Sequence, residues 1–286
     1  MLPEKVRSVI EEKLAGKITG VKSVGGGSIN ETARFEINTV PYFLKWNSAS
    51  RFPGMFTAEE QGLHILRECS GFVVPIVLMR EEVDSISFLL MDFIERDKPY
   101  WSDAGKILAN MHRYKRWKDV RFGLDHDNYI GSLKQKNSFH DSWPAFFSNE
   151  RILPQVKLAM DSGELNRGDL ITAENFCKRI DEIFPAEKPS LLHGDLWSGN
   201  FMFTPEGPAI FDPAVYWGHR EMDLAMTKLF GGFPDEFYRG YNDDYPLEKN
   251  WQQRTDYCNL YPLLVHVNLF GGGYVQDVRR ILRHFT

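Results

Sequence analysis

The chain has 286 residues, of which 43% are hydrophobic and 26% charged, and its 34 Lys and Arg against 39 Asp and Glu give a net charge of −5. This composition excludes a disordered or fibrous chain. A slightly acidic sequence without a basic block also argues against binding to nucleic acid or an anionic membrane. Three cysteines without a CxxC pair predict neither a disulfide framework nor a zinc site and indicate a cytoplasmic protein. Because the apolar runs are short and the N-terminus is amphipathic, we expect no membrane span and no signal peptide.

The first ninety residues predict a small lobe built mainly from strands. Hydrophobic periodicity between a proline and a glycine predicts a helix over residues 3–15. A second helix is predicted over residues 56–69, with Thr57 and Glu60 forming a capping box at its start. Apolar segments between turn residues predict five strands, at residues 21–24, 32–37, 42–46, 73–79 and 85–93.

Helices dominate from about residue 102 onward. Their predicted positions are residues 102–113, 142–160, 172–183, 221–230 and 251–269. A short extended pair at residues 200–203 and 209–211 interrupts them. We therefore predict an α+β fold with two lobes: residues 1–93 form a small antiparallel sheet with helices, and residues 94–286 form a mainly helical lobe. A ligand is expected in the cleft between the lobes.

The sequence LLHGDLWSGN at residues 191–200 carries the strongest chemical signal. Asp195 and Asn200 have the spacing D-x-x-x-x-N, and Asp212 follows twelve residues later, beyond the predicted hairpin that would bring it back to Asn200. Kinases use one Asp to accept the proton of the acceptor hydroxyl, and an Asn and an Asp to hold Mg²⁺. Each residue alone could be an ordinary turn residue. Together they predict phosphoryl transfer, with Asp195 as base and Asn200 and Asp212 on the metal.

The N-terminal lobe should then hold the nucleotide phosphates. A glycine-rich turn between two predicted strands can close its backbone N–H groups over phosphates, although the same pattern also fits a simple hairpin turn. This turn consists of Gly25, Gly26, Gly27 and Ser28. Lys45 lies on the following strand, and Glu59 places a carboxylate on an otherwise apolar helix face. Because a buried carboxylate needs a partner, we expect Lys45 and Glu59 to pair and to position the α- and β-phosphates.

Two further segments are assigned by their position. Asp92, Phe93 and Ile94 end the last strand of the small lobe, at the boundary where a kinase binds adenine through backbone groups. His193 directly precedes the catalytic Gly-Asp pair and is predicted to brace the catalytic loop rather than to react.

The motifs at residues 192–200, 212–214, 216–226 and 268–274, together with residues 122–123 and 127–131, resemble those of the fructosamine kinase (ketosamine-3-kinase) family. This family is related to the aminoglycoside and choline kinases within the protein-kinase-like fold. The similarity extends from about residue 25 to residue 274. It implies a bilobal protein-kinase-like fold, ATP as phosphoryl donor and Mg²⁺ as cofactor.

The resemblance also suggests where the acceptor binds. The predicted acceptor contacts are Trp197, Trp217, His219, Arg220 and Glu221. The two tryptophans would wall a sugar pocket, where aromatic faces suit apolar sugar faces and a protonated amine. Asp223 would brace the catalytic loop from a helix N-terminus. Two positions depart from the family, because Ser28 replaces a cysteine found in some members and Leu124 replaces a common tryptophan.

The implied reaction is ATP- and Mg²⁺-dependent phosphorylation at O3 of a ketosamine, on a free amine or on a glycated lysine of a protein, as a step of deglycation. One alternative is a kinase of the same fold acting on an aminoglycoside, choline or homoserine. A nucleotide-binding pseudokinase is a second, although every catalytic part is present. A protein kinase is a third, although the APE-type activation segment is missing. We expect a monomer or a weak dimer.

Overall fold

The computed structural model describes residues 2–25, 29–115 and 121–286. Its N-terminal part contains a five-stranded antiparallel sheet with the strand order β1-β2-β3-β5-β4, so all five predicted strands are present. The strands are β1 (Thr19–Ser23), β2 (Glu31–Ile37), β3 (Val40–Ser48), β4 (Val77–Val83) and β5 (Ile86–Asp92). Strand β3 lies between β2 and β5. Leu44 faces one side of the sheet, and its neighbour Lys45 therefore faces the other.

Two helices pack against this sheet. Helix α1 (Glu4–Lys13) buries Val6 and Ile10, and helix α2 is Met55–Cys69. The predicted capping box at the start of α2 is wrong. Gly54, in a left-handed conformation with φ 75°, precedes α2, so Thr57 lies inside the helix and cannot cap it. Glu60 instead accepts a 2.6 Å hydrogen bond from Nε of Arg80.

The rest of the chain is mainly helical, as predicted. Its helices are α3 (Trp101–Arg113), α4 (Trp143–Phe146), α5 (Leu153–Asp161), α6 (Arg167–Cys177), α7 (Ile180–Ile183), α8 (Glu221–Leu229), α9 (Asp235–Asp244), α10 (Trp251–Phe270) and α11 (Tyr274–Leu282). A π-helical turn, Phe147–Ile152, joins α4 to α5, and 3₁₀ turns cover Ser198–Asn200 and Arg283–Phe285. Neither α9 nor α11 follows from the sequence analysis.

Helix α9 shows why it was missed. Its sequence DEFYRGYNDD is rich in residues typical of loops, and only tertiary packing buries its few apolar side chains. It lies directly against α3, where two glycines allow the backbones to touch. A Cβ added at Gly105 would lie 2.0 Å from the carbonyl oxygen of Phe237, and one at Gly240 would lie 2.2 Å from that of Ser102.

Three short antiparallel strand pairs lie among the helices. They are β6 (Asn128–Ile130) with β7 (Leu133–Gln135), β8 (Ser190–Leu192) with β11 (Tyr216–Gly218), and β9 (Phe201–Thr204) with β10 (Gly207–Ile210). The last pair is the hairpin predicted from the sequence. The β8–β11 pair joins the strand that enters the catalytic loop to the segment that follows Asp212.

Two apolar clusters form the core. The smaller contains α1 and one face of the sheet, including Val6, Phe35 and Leu44. The larger combines the helical part with α2 and with Leu89 and Met91 of β5. This cluster crosses the predicted boundary between residues 1–93 and residues 94–286. The division of the chain into two lobes therefore stays a prediction. Among the described residues, no helix is both long enough and apolar enough to cross a membrane.

Candidate active site

The predicted catalytic loop, residues 193–197, connects β8 to the 3₁₀ turn at Ser198–Asn200. It turns sharply at Gly194, whose φ of 83° is left-handed and whose added Cβ would lie 2.1 Å from the carbonyl oxygen of Ala214. Only glycine fits such a position. Asp195 comes next, and Nδ2 of Asn200 donates to its Oδ2 at 2.9 Å and to its backbone oxygen at 3.0 Å. These bonds fix the orientation of the Asp195 carboxylate.

The β9–β10 hairpin returns the chain to this loop. The backbone N–H of Phe211 donates to the carbonyl oxygen of Asn200 at 3.2 Å, which places Asp212 beside the loop. Asp212 has a left-handed φ of 57°, a strained conformation for a residue with a side chain. The structure therefore brings together Asp195, Asn200 and Asp212, as their spacing in the sequence predicts.

Lys45 links the sheet to this cluster. Its Nζ donates to Oε1 of Glu59 at 2.7 Å and also to Oδ1 of Asp212. Burial acts to lower the pKa of Lys45, but Asp212 and Glu59 outweigh it and raise the pKa above its ordinary value. The pKa of Glu59 is raised, because its own burial outweighs the attraction of Lys45. The ammonium group of Lys45 is therefore the shared partner of two carboxylates, Glu59 and Asp212.

The pKa of Asp195 is also raised in this cluster. Burial, followed by repulsion from Asp212, raises the pKa of Asp195 to about 7. A carboxylate whose pKa is near neutral can both accept and release a proton, which is what a general base needs. Perturbed groups of this kind cluster at functional sites.

His193 and Asp223 support the catalytic loop from behind. The two carboxylate oxygens of Asp223 accept hydrogen bonds from the backbone N–H of His193 at 2.8 Å and of Gly194 at 3.0 Å. Burial lowers the pKa of His193, so its ring is neutral. Nε2 then donates to the carbonyl oxygen of Phe211 at 3.1 Å, and Nδ1 accepts from the N–H of Asp195 at 3.2 Å. The ring thus joins the catalytic loop to the segment that carries Asp212.

A third support, His112, does not follow from the sequence analysis. Its ring is buried at the end of α3, with Nε2 3.3 Å from Oδ2 of Asp223 and Nδ1 2.9 Å from the hydroxyl of Tyr241. The three residues are distant in the chain, and no local pattern connects them. Their contact exists only because α3, α8 and α9 pack together.

Asn200 and Asp212 present oxygen atoms that suit Mg²⁺. Both side chains line the cleft. Because Nδ2 of Asn200 is held by Asp195, its Oδ1 points elsewhere, and no donor from the described residues bonds to it. An amide and a carboxylate oxygen with the remaining positions open match the preference of Mg²⁺ for hard oxygen ligands and nucleotide phosphates. The residues present therefore fit the metal.

One cleft of about 800 Å³ is lined by Lys45, Glu59, Asp195, Asn200 and Asp212. Its nucleotide side is lined by Gly25, Asp92, Phe93 and Ile94, together with Lys45 and Glu59. The N–H of Ile76 donates to Oδ1 of Asp92, which ties the strand end to its neighbour rather than leaving that carboxylate free. Gly26, Gly27 and Ser28 lie outside the described residues.

An aromatic wall closes the other side of the cleft. It consists of Trp197, Phe230, His266, Phe270 and Tyr274, all of which line the cleft. Ring centroids are 6.1 Å apart for Trp197 and Phe230, 4.7 Å for Phe230 and His266, and 5.0 Å for His266 and Tyr274. Of these residues, only Trp197 was predicted as an acceptor contact. The LFGGGY motif was the signal for two of the others, since it contains Phe270 and Tyr274.

The structure does not bring the other predicted acceptor contacts to the cleft. Trp217, His219, Arg220 and Glu221 are all buried and absent from its lining. Arg220 pairs with Glu187 through two 2.8 Å contacts, and Glu221 pairs with Arg254 at 2.6 and 2.7 Å. The run is polar in sequence, but its charges are neutralised inside the helical part.

Comparison with known proteins identifies the family of this chain. The sequence model of the family described as fructosamine kinase matches residues 1–286. The chain belongs to the fructosamine kinase family. The family resemblance and the phosphotransferase class predicted from the sequence are thereby confirmed: the protein transfers a phosphoryl group to a sugar hydroxyl.

Relatives and solved structures cover nearly the whole chain. A probable ketoamine kinase of Vibrio parahaemolyticus is 39% identical over 269 residues, covering 92% of this chain and 91% of the relative. Another from Enterococcus faecium is 39% identical over 288 residues, covering 98% and 99%. A crystal structure from Thermobifida fusca, designated a fructosamine-3-kinase, is 34% identical with a TM-score of 0.82, covering 97% of this chain and 98% of that one.

A more distant neighbour confirms the predicted fold class. The aminoglycoside phosphotransferase APH(4)-Ia, crystallised with ADP and hygromycin B, is 13% identical, with a TM-score of 0.64 and 98% coverage of both chains. At this identity the likeness concerns the fold alone. The protein-kinase-like architecture of sheet, cleft and helical part is shared.

Proposed function

We propose that the protein phosphorylates O3 of a ketosamine, using ATP and Mg²⁺. The observation that carries the proposal is the position of Asp195: a carboxylate with a pKa near 7 lies in one cleft with Asn200, Asp212 and Lys45. This set suits phosphoryl transfer, in which positioning and electrostatics supply most of the catalysis. Membership of the fructosamine kinase family supports a ketosamine as acceptor.

In this mechanism Asp195 accepts the proton of the acceptor hydroxyl. The hydroxyl oxygen forms a bond to the γ-phosphorus of ATP while the bond from that phosphorus to the β–γ bridging oxygen breaks, which releases ADP. Asn200 and Asp212 would hold Mg²⁺, which when bound would offset negative charge on the phosphates. Lys45, held by Glu59, neutralises the α- and β-phosphates. The N–H groups of the glycine-rich turn and the backbone at residues 92–94 hold the rest of the nucleotide.

The aromatic wall is the proposed acceptor surface. Trp197 and Phe230 offer ring faces to the sugar and to a protonated amine. Nδ1 of His266 donates to the carbonyl oxygen of Pro262 at 2.8 Å, and burial lowers the pKa of its ring, so Nε2 keeps a lone pair that can accept from a sugar hydroxyl. The acceptor is a small or protein-attached ketosamine, and phosphorylation at O3 makes the adduct labile and so serves deglycation. We further propose a cytoplasmic monomer or weak dimer without nucleic-acid or membrane partners.

A coupled ADP-release assay tests the substrate class. The panel contains fructoselysine, a ribulosamine, an aminoglycoside, choline and homoserine, each with and without Mg²⁺. We expect Mg²⁺-dependent turnover of a ketosamine at the highest kcat/KM, with phosphate at O3 by NMR of the product. Faster turnover of an aminoglycoside, choline or homoserine would transfer the function to another acceptor. ATP consumption without any acceptor preference would favour the nucleotide-binding alternative.

The aromatic wall has its own test. Replacing Trp197 with Leu should raise KM for the ketosamine several-fold, because a cation–π contact contributes about 0.5–2 kcal/mol, while KM for ATP stays the same. Val21→Ala, a change at an exposed residue of β1 outside the cleft lining, is the matched control. An unchanged acceptor KM in Trp197→Leu would remove the wall from the acceptor site.

A further inference from the structure

Arg151 is a buried cation without an obvious role in the proposed reaction. It lies in the π-helical turn Phe147–Ile152 and has no exposed surface. In the described part of the chain its guanidinium forms no ion pair; it donates to the carbonyl oxygens of Lys136 at 2.6 Å and Glu150 at 3.1 Å, and to Oδ1 of Asn137 at 2.7 Å. An unpaired buried charge is costly, and π-helical turns often occur at functional sites.

Three aromatic rings surround the Arg151 guanidinium and take the part of a counter-charge. The guanidinium carbon lies 4.1 Å from the ring centroid of Tyr216, 4.5 Å from that of Phe146 and 5.3 Å from that of Tyr261. Cation–π contacts stabilise a desolvated arginine while leaving its N–H groups available for directed hydrogen bonds. Arg151 is therefore held in place as a donor, without an anion that would compete for its N–H groups.

Its bond to Asn137 begins a chain of buried amides. We call the side chains of Asn137, Asn128 and Gln135 the amide relay; each is less than 5% exposed. Since Oδ1 of Asn137 accepts from Arg151, its Nδ2 donates to Oδ1 of Asn128 at 3.0 Å. Nε2 of Gln135 donates to the same oxygen at 2.7 Å, and Oε1 of Gln135 accepts from the hydroxyl of Tyr261 at 2.6 Å.

The relay ends on the segment that follows Asp212. Nδ2 of Asn128 donates to the carbonyl oxygen of Val215 at 2.8 Å, and Nε2 of Gln135 donates to that of Ala214 at 3.1 Å. On its other side the segment is bonded to the catalytic loop, because the N–H of Ala214 donates to the carbonyl oxygen of His193 at 2.9 Å. The backbone after Asp212 is thus held from two directions.

Arg151 determines the direction of the relay. An amide has one end that accepts and one that donates, whereas a guanidinium only donates. If Asn137 were reversed, its NH₂ would face the guanidinium and its oxygen would face Oδ1 of Asn128. Arg151, together with the carbonyl oxygen of His126 that accepts from Nδ2 of Asn137 at 3.1 Å, therefore selects the one orientation in which the relay ends with donors on the carbonyl oxygens of Ala214 and Val215.

We propose that Arg151, acting through the amide relay, is a positioning residue that holds Asp212 in its metal-binding orientation. The proposal rests on the proposed function of Asp212 as a ligand of Mg²⁺. Asp212 has a left-handed backbone, and a residue with a side chain keeps this conformation only where the surroundings enforce it. The two carbonyl contacts that follow it supply such enforcement.

Two substitutions separate positioning from folding. Arg151→Met removes the donor and the buried charge, and it leaves the carbonyl oxygen of Lys136 and Oδ1 of Asn137 without this donor, so we expect some loss of stability. Asn137→Asp gives Arg151 a counter-charge, which offsets part of the cost of placing a carboxylate oxygen against Oδ1 of Asn128 and the carbonyl oxygen of His126. The ionised carboxylate can no longer donate to either of them. If the relay positions Asp212, both variants should lose about 10- to 100-fold in kcat, the usual effect of changing an outer-shell partner of a metal site. KM for the acceptor should stay near its original value.

The control is Gln155→Met in α5. Gln155 is also buried, but it bonds to Asn268 and not to the relay. Each variant is measured by thermal denaturation, by the Mg²⁺ dependence of kcat, and by calorimetric titration with the ATP analogue AMP-PNP with and without Mg²⁺. The proposal requires that each relay variant that folds needs more Mg²⁺ and loses most of the Mg²⁺-dependent gain in AMP-PNP affinity, while Gln155→Met does neither.

Unchanged Mg²⁺ dependence in both relay variants would overturn the proposal. If Arg151→Met fails to fold, Asn137→Asp decides alone. The nucleotide titration also separates this inference from the substrate assignment, because it needs no acceptor: a wild-type protein that phosphorylates no ketosamine but binds AMP-PNP more tightly with Mg²⁺ refutes the substrate and still tests the relay. Binding of AMP-PNP that ignores Mg²⁺ in the wild type would overturn the inference itself.

Discussion

Cations and carboxylates lie close together both around Asp195 and around Arg220, but the two groups balance their charges differently. In the cleft, Lys45 is the partner of both Glu59 and Asp212, and Asp195 adds a third carboxyl group. In the helical part, Arg220 pairs with Glu187 and Arg254 pairs with Glu221, one cation for each carboxylate.

The difference has a physical meaning. A buried ion pair with one cation for each carboxylate needs no further counter-charge, and its role is to hold structural elements together. A cluster with more carboxylates than cations is unstable by itself, and a bound cation would relieve it. Burial contributes most to the raised pKa of Asp195, and repulsion from Asp212, a part of this imbalance, raises that pKa further. An uncompensated charge, rather than the presence of charge, therefore distinguishes the candidate site from the structural ion pairs.

The largest expected effect comes from Asp195→Asn. Turnover should fall by about 10²- to 10⁴-fold, because the general base is lost, while AMP-PNP still binds. Stability should change in the opposite direction. The pKa of Asp195 is about 7 in the folded protein, well above its ordinary value of 3.8, so its ionisation lowers stability progressively between these pH values and fully above them. The variant should melt at a higher temperature than the wild type at pH 8. A lower melting temperature would contradict the charge imbalance.

Arg254→Met tests the balanced ion pairs around Arg220 by removing the partner of Glu221. It leaves Glu221, which is 1% exposed, without its partner, and should lower the free energy of unfolding by about 3–5 kcal/mol. Chemical denaturation measures this loss. Activity per folded molecule should be unchanged, since the pair does not line the cleft. An increased KM for the ketosamine in a stable Arg254→Met variant would instead return this region to the acceptor site.

The pH dependence sharpens the comparison further. The protein needs ionised Asp195, so kcat/KM should decrease about tenfold for each pH unit below about 7 and level off above it. The wild type and Arg254→Met should give the same profile for kcat/KM of Mg·ATP, which reports the free protein, whereas the profile of kcat should shift to lower pH because bound Mg²⁺ lowers the pKa of Asp195. A profile that is flat between pH 5 and pH 8 would show that Asp195 is not the group that titrates.

The smallest effect is expected at the exposed pair of Arg80 and Glu60. Both side chains are more than a third exposed, and such pairs contribute about 0.2–1 kcal/mol. Arg80→Met should therefore change the free energy of unfolding by less than 1 kcal/mol and leave kcat the same. It is the surface reference for Arg254→Met, and a loss as large as that of Arg254→Met would remove the distinction between exposed and buried pairs.

Local pattern sufficed for much of the molecule. Strand alternation and helical periodicity predict the five-stranded sheet, α1, α2 and the long helices, because these signals depend on neighbours within a few residues. The prediction of the catalytic cluster depends on spacing around one hairpin, and Glu59 was assigned to Lys45 because it is the carboxylate on an apolar helix face. Both inferences use short stretches of chain and simple pairing rules.

What the tertiary structure decided involves residues far apart in the chain. The aromatic wall combines Trp197, Phe230 and His266, which no single motif contains. The sequence His219–Arg220–Glu221 is typical of an exposed polar segment. In the structure Glu187 pairs with Arg220 and Arg254 pairs with Glu221, each 33 residues away from its partner, and these pairs neutralise the charges. Arg151 likewise reaches the backbone beside Asp212 only through packed amides. The sequence by itself determined which residues can do the chemistry; packing decided which charges stay uncompensated, because only long-range contacts supply or withhold a partner.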